Sequence, residues 1–340
     1  MPSTYLNLFD KKILIAPLDW GMGHAARCVS LVKKLQQQNN HFTIACTTQQ
    51  KQFLQQELND VEYVDLFGYN INYSNLFPLW VKILLQLPKL CFVVRRENKW
   101  LTDYLKGNKI DVVISDNRFG FYHKSVESIF ITHQLNIQAP VFNNMINRIN
   151  TSFIKKYNTC WIPDYEEKEK RLSGSLSDNN KQLATVEFIN PLSRFEKSKF
   201  IQRKYDALVL LSGPEPQRSL LEEKLVAAFT NTNYIIALVR GSNIQIEKKI
   251  PSNIHIIDMA SSEQLQKLFN VTCKIICRSG YSTLMDLHTL DLKALLVPTP
   301  GQTEQKYLAI YWKEKFGYAA IEQKNITRES IEAFMKRELQ

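Results

Sequence analysis

The sequence predicts two doubly wound α/β domains, and three observations lead there. Short apolar segments alternate with stretches whose apolar residues recur at helical spacing, the pattern of parallel strands joined by crossover helices. The alternation runs from Ile13 to Pro163, lapses through polar segments, and restarts at Ala207. Each half opens on a strand that passes through a small-residue turn into a helix, a local form that can gather backbone N–H groups around an anion. At 340 residues with 44% hydrophobic content, the chain can bury two cores, each of roughly 150 residues.

In the first half, strands are expected at Ile13–Pro17, His41–Thr47, Val61–Phe67, Val112–Ser115, Ser128–Thr132 and Cys160–Pro163. The helix after the first strand places Cys28, Leu31, Val32 and Leu35 at i, i+3, i+4 and i+7, and the helix after the second carries Phe53, Leu54 and Leu58. A polar stretch, Leu172 to Gln182, then precedes the restart. Strands of the second half are expected at Ala207–Leu211, Tyr234–Leu238, Ile254–Ile257, Cys273–Cys277 and Ala294–Val297. The predicted domains are therefore 1–203 and 204–325, followed by a C-terminal helix, 326–340, that would pack back on the first domain. Ligands of open α/β sheets bind beyond the carboxyl ends of the strands, so two such domains facing across a cleft would hold them there.

Composition narrows the function classes. A net charge of +10 favours anionic ligands. Lys and Arg are dispersed and not interleaved with aromatics, which argues against nucleic acid. The segment MPSTYLNLFDKK lacks a basic start followed by an apolar core, so a cytoplasmic location is expected. An insert from Asn72 to Arg96 is interrupted by Lys82, Pro88 and Lys89 and does not form a spanning segment. Its Trp80, leucines, Arg95 and Arg96 suit either a pair of core helices or peripheral contact with the inner face of a membrane. Six cysteines without a CxxC pair are expected as buried thiols.

The segment CRSGYSTLMDL, Cys277 to Leu287, carries the clearest chemical signal. Its strand, glycine-containing turn and helix would hold a phosphate on backbone N–H groups at the helix N-terminus. Asp286, with Glu304 and Gln305 of the nearby VPTPGQTEQ, would grip hydroxyl groups. Phosphate and polyol together suggest a nucleotide sugar. In the first half, DWGMGHAAR satisfies a G-x-G-x-x-A dinucleotide pattern. A nicotinamide-binding domain would need an acid at the end of the second strand, where the chain has IACTTQQ, so that cofactor is not expected. His24 lies in the first turn of a helix, whose positive end disfavours imidazolium, leaving either a neutral base or a packing residue. Asp116 in VVISDNR is a second base candidate or a turn cap, and His133 in ITHQLN is a third polar candidate. In SGPEPQR, Ser212 and Gly213 keep helix-entry character and Arg218 could neutralise a leaving diphosphate; the alternative is a plain connection with a solvated arginine. There is no DxD motif, so no metal is expected.

These motifs carry a resemblance. IIDMASSEQL, CRSGYSTLMDL and LVPTPGQTEQKYLA, in that order, resemble the donor-nucleotide half of GT-B glycosyltransferases, nearest the N-acetylglucosaminyltransferases that form lipid II. GMGHAARCVSLVKKL is similar to the acceptor-side loop of that superfamily and to the GxGHxxR loop of UDP-sugar hydrolases of pseudaminic acid synthesis. The resemblance implies that backbone around Ile256 meets the uracil edge and that Ser279, Gly280, Ser282 and Thr283 cradle the diphosphate. Asp286 stands where the family has a Glu on the ribose hydroxyls, and Glu304 and Gln305 stand where it has two amides on the sugar. It further implies an inverting, metal-independent transferase with a UDP-sugar as co-substrate, no other cofactor, and an acceptor for which a lipid-linked, cell-envelope molecule is one reading. Hydrolysis of a nucleotide sugar and nucleotide-sugar binding without turnover are the other two readings.

Overall fold

A computed structural model describes residues 8–69, 87–139, 141–179, 183, 185–197, 202–242 and 250–337. The chain divides into two compact units, Met1–Leu192 and Ser193–Gln340. The first comprises β1 (Lys12–Pro17), α1 (Met22–Gln36), β2 (His41–Cys46), α2 (Thr48–Glu57), β3 (Val61–Asp65), α3 (Leu87–Gly107), β4 (Val112–Asp116), β5 (Glu127–Ile131), α4 (Asn143–Ile154), β6 (Thr159–Ile162) and β7 (Val186–Phe188). Its seven strands form one parallel sheet in the order β3-β2-β1-β4-β5-β6-β7. The alternation along β1 shows the double winding directly. Ile13 and Ile15 join the core beneath α1 and α2, whereas Leu14 and Ala16 point to the opposite face and pack with Leu101 and Trp100 of α3.

The second unit contains β8 (Tyr205–Leu210), α5 (Gln217–Phe229), β9 (Ile236–Val239), β10 (Ile254–Ile257), α6 (Ser262–Asn270), β11 (Thr272–Cys277), α7 (Tyr281–Leu290), β12 (Ala294–Leu296), α8 (Thr303–Phe316), β13 (Ala319–Ala320) and α9 (Arg328–Lys336). Its parallel sheet runs β10-β9-β8-β11-β12-β13. Both sheets thus reverse their strand order once, between β1 and β4 and between β8 and β11. Reversal points are where neighbouring loops diverge and leave room for a ligand. Reciprocal caps fix several helix starts: Thr47 with Gln50 on α2, and Ser261 with Gln264 on α6.

All the expected strands are present to within two residues at either end. The sequence reading missed β7 and β13, which are three and two residues long, too short for a period of two to register. Three expectations need correction. The boundary lies at Ser193 and not at residue 204, because the connecting segment packs on the second unit: Ser193 Oγ donates to Asp286 Oδ1 at 2.7 Å, and the Phe195 ring stands edge-on to Phe269. The C-terminal helix α9 belongs to the second unit. It buries Ile331, Phe334 and Met335 in the core of the second, against the face that also receives α5. Among the cysteines, Cys28, Cys46, Cys160 and Cys277 are buried, but Cys91 and Cys273 are exposed. Cys273 shares a strand face with Cys277 yet sits near the start of β11, ahead of the core. Of the 72–96 insert, residues 72–86 lie outside the described residues, and from Leu87 the chain belongs to α3, which buries Val93 and Val94 and exposes Phe92. Among the described residues, no helix is long and apolar enough to cross a membrane.

Candidate active site

In the first unit, the strand-order reversal brings together the ends of β1 and β4. Gly21 has φ +90°, a left-handed conformation that favours glycine, and it turns the chain from β1 into α1. His24 and Arg27 then project from the same face of α1 at i, i+3 spacing, and both reach Asp116, the last residue of β4. Arg27 grips the carboxylate with two nitrogens: Nε donates to Oδ2 at 3.0 Å and Nη2 donates to Oδ1. His24 Nδ1 lies 3.0 Å from Asp116 Oδ1. The same Nδ1 lies 3.0 Å from Arg27 Nη2; in the tautomer that donates from Nδ1 to the carboxylate, the lone pair is left on Nε2. Arg27 also donates from Nη1 to His133 Nδ1, beyond the end of β5, at 3.4 Å. Side-chain exposure is 2–3% for Arg27 and Asp116 but 17% for His24, so the imidazole is the member of the trio that reaches solvent. Burial alone would raise the Asp116 carboxyl, but the Arg27 guanidinium and His24 outweigh it and hold the group down at about 2.

A second buried network positions this loop from below. Arg118, fully buried, donates from Nε to the Pro17 carbonyl at 2.9 Å and from Nη1 to Glu97 Oε1 at 2.6 Å. Glu97 accepts from Tyr69 Oη at 2.7 Å and from the Gly120 N–H at 3.1 Å. Asp19, in the loop itself, accepts from the Tyr69 N–H and lies 3.6 Å from Arg118. Sequence reasoning assigned no role to Arg27, Arg118 or Glu97. For Arg27 a signal existed, its spacing of three from His24; the pairing of Arg118 with Glu97 spans separate elements and left none.

In the second unit, the reversal lies between β8 and β11. Gly213, φ +102°, turns the chain after β8 close to Thr299 of the loop after β12: a Cβ placed on it would stand 3.5 Å from Thr299 Oγ1. Gly280 caps α7 without a side-chain cap hydrogen bond, at a helix end of the kind whose backbone N–H groups bind anions. Ser282 and Thr283 are half-buried there. Ser279 is fully buried, and its hydroxyl donates to the Gln305 carbonyl at 2.7 Å, tying this turn to α8. The Gln305 side chain accepts from the Thr299 N–H at 2.8 Å. Glu304 lies half-buried in the first turn of α8, where the helix dipole favours an acid. Asp286, in the second turn of α7 and not at its start, shares a face with Ser282 and Thr283. Desolvation pushes its carboxyl up to about 6, against the opposing pull of Arg194 and the Ser193 hydroxyl. Ile256 lies in β10, the edge strand. Asn253 and Ile257 turn their carbonyls toward β9, so the alternation of a parallel ladder turns the main-chain groups of Ile256 toward the open edge.

One expected binding residue is placed differently. Ser212 and Gly213 are exposed at the end of β8, but Arg218 is buried. Its Nε donates to Glu215 at 2.5 Å, Nη1 to Glu222 at 2.8 Å and Nη2 to Ser219 at 2.9 Å. The guanidinium expected to face a diphosphate is turned inward, because Glu222, itself fully buried, needs a countercharge. Among the described residues, no three of His, Cys, Asp and Glu gather as a metal-ligand group.

Comparison with known proteins follows this division. Residues 11–156 match the glycosyl transferase family 1 model, and residues 217–340 match the glycosyltransferase family 28 C-terminal domain. No curated protein matches the chain. Among solved structures, MurG of Acinetobacter baumannii is similar at 16% identity and TM-score 0.55, over 97% of this chain and 92% of its own. The spinosyn rhamnosyltransferase SpnG complexed with thymidine diphosphate is similar at 13% identity and TM-score 0.63, over 96% and 92%. SnogD of Streptomyces nogalater is similar at 12% identity and TM-score 0.63, over 97% and 91%. At these identities the structures speak for the fold, and the two family models speak for the activity. A glycosyltransferase model matches part of each half, so the chain is a glycosyltransferase, and its two parallel-sheet domains have the GT-B fold.

Proposed function

We propose that the protein transfers a sugar from a UDP-sugar to an acceptor hydroxyl, with inversion at the anomeric carbon and without a bridging metal. The observation that carries this reading is the hydrogen bond from His24 Nδ1 to Asp116, which leaves Nε2 of a solvent-reaching imidazole as a base. In the proposed step, Nε2 takes the acceptor proton and the acceptor oxygen forms a bond to the anomeric carbon. The bond from that carbon to the β-phosphate oxygen breaks, and UDP leaves with the electron pair. Asp116 holds the ring and balances the imidazolium as it forms. On the donor side, the N-terminal turn of α7 would take the diphosphate, Asp286 the ribose, Gln305 and Glu304 the sugar, and the edge of β10 at Ile256 the base. β10 stands two strands from β8, about 10 Å at ordinary strand spacing, which separates a base from phosphates held at the sheet centre.

An apolar acceptor, including a lipid-linked one presented at a membrane surface, fits the exposed Phe142, Met145 and Ile149 that α4 and its entry present beyond β5. The assay begins with a thermal-shift panel of nucleotide sugars to identify the donor. The sugar-labelled donor is then incubated with lipid-linked and soluble acceptors. Label in an organic-soluble product is the expected result; release of free sugar at the same rate without acceptor would replace transfer with hydrolysis, and stabilisation with no turnover would leave a binding protein.

A further inference from the structure

Arg278 opens the turn that follows β11, and it is 1% exposed. Its partners are backbone carbonyls. Nη2 donates to Gln217 O at 2.7 Å, and Nη1 donates to Val297 O at 3.3 Å and Pro298 O at 3.4 Å. Those carbonyls belong to the first residue of α5 and to the loop after β12, so a single guanidinium ties the turn that carries Gly280 to the end of the Gly213 loop and to the loop that leads into α8. Its Nε has no partner among the described residues, and neither does the buried Thr299 Oγ1 in the adjoining loop. Burial lowers the guanidinium to about 10, and among the described residues no acidic side chain offsets that effect, so it remains protonated at neutral pH as a positive charge without a countercharge there. Arg218 in the same region shows the contrast, since its charge is met by Glu215 and Glu222.

We propose that Arg278 is a positioning residue whose unbalanced charge and carbonyl contacts preset the three loops for a nucleoside diphosphate, the bound diphosphate supplying the missing negative charge. The inference rests on the donor reading above and adds to it a residue that the motif comparison leaves without a role. A buried cation held only by carbonyls is poorly stabilised, whereas the same cation beneath a cluster of helix N-termini strengthens anion binding through a medium of low dielectric.

Uridine and UDP separate this role from a merely structural one, because only UDP brings the phosphates. Calorimetry on the full chain is expected to show UDP binding weakened about thirtyfold in Arg278→Met, with uridine affinity changed less than about twofold. Arg278→Lys keeps the charge and is expected to retain the wild-type ratio of UDP to uridine affinity within about fivefold. If Arg278→Met does not fold, the lysine variant decides: loss of the UDP preference despite a retained charge overturns the proposal. Equal losses for uridine and UDP in Arg278→Met overturn it too, since they would reflect collapse of the loops alone. A wild-type protein that binds neither UDP nor any other nucleoside diphosphate would instead overturn the donor reading itself.

Discussion

The two strand-order reversals occupy equivalent places in two similar sheets, yet they are built from different chemistry. At the first, side chains dominate: His24, Arg27, Asp116 and His133 form a charged cluster supported by a further buried pair, Arg118 with Glu97. At the second, the main chain dominates: Gly213 and Gly280 shape the turns, the α7 start has no side-chain cap, and Ser279 and Gln305 tie the turn before α7 and the loop after β12 to α8 through carbonyl and amide groups. A proton transfer needs a group of suitable basicity held at one point, which only side chains supply. Anion binding needs several weak donors converging, which backbone supplies without spending side-chain charge. The contrast supports acceptor activation in the first unit and donor binding in the second.

The largest expected effect tests the first site. His24→Ala should lower kcat about 10²- to 10⁴-fold in steady-state assays while leaving donor affinity intact. Asp116→Asn should lower kcat as well, and in chemical denaturation it should destabilise the fold by about 3–5 kcal/mol, because it strips Arg27 of its buried counterion. The pH dependence has a definite sign. Asp116 titrates below its ordinary 3.8, at about 2, so its stabilising contribution is complete above 3.8 and is withdrawn as pH falls through that interval. Retained activity in His24→Ala would erase the division between the two sites.

A second substitution asks whether charge at the second site is structural. Arg218→Met should reduce stability by about 3 kcal/mol, since Glu222 keeps only Arg240 as a partner. UDP affinity by calorimetry should stay within about twofold of wild type if the guanidinium plays no part in binding. A tenfold loss of affinity in a folded variant would restore Arg218 to the donor site.

The smallest effect belongs to Asp286. Asp286→Ala should weaken UDP binding about tenfold to a hundredfold, the range for a lost hydrogen bond to a charged acceptor. Because its folded value of about 6 lies above the ordinary 3.8, the unfolded chain releases this proton first. Raising pH through that interval therefore withdraws stability, and the loss is complete above about 6. UDP affinity should run the opposite way, falling as pH drops below about 6, because the carboxylate is the better acceptor. In Asp286→Asn both dependences should flatten, as read by thermal shift and by calorimetry across that range.

Much of this was legible along the chain. Strands buried on both faces read as unbroken apolar runs, which is why Ile13–Pro17 and Ala294–Val297 could be placed without a structure. Glycine-bearing turns between strand and helix betray themselves by residue type, so Gly213, Gly280 and Ser279 were visible. The SGPEPQR loop misled for a physical reason: an arginine beside a turn looks solvated until the buried Glu222, four residues on, is seen to claim it. Ser193 was passed over because a polar connector shows no period, and only its contacts with Asp286 and those of Phe195 with Phe269 assign it to the second unit.

What the sequence by itself determined is local: the order of strands and helices, the turns that expose backbone donors, and His24 in the first turn of α1. The pairing of His24 and Arg27 with Asp116, about ninety residues away, was decided only in three dimensions. So was the placement of Arg278 on carbonyls at the start of α5 and in the loop after β12. Periodicity and turn chemistry act between neighbours in the chain and leave a pattern there. Charge pairing and carbonyl contacts act between neighbours in space, and which residues become neighbours depends on strand order, here the reversal between β1 and β4 and between β8 and β11.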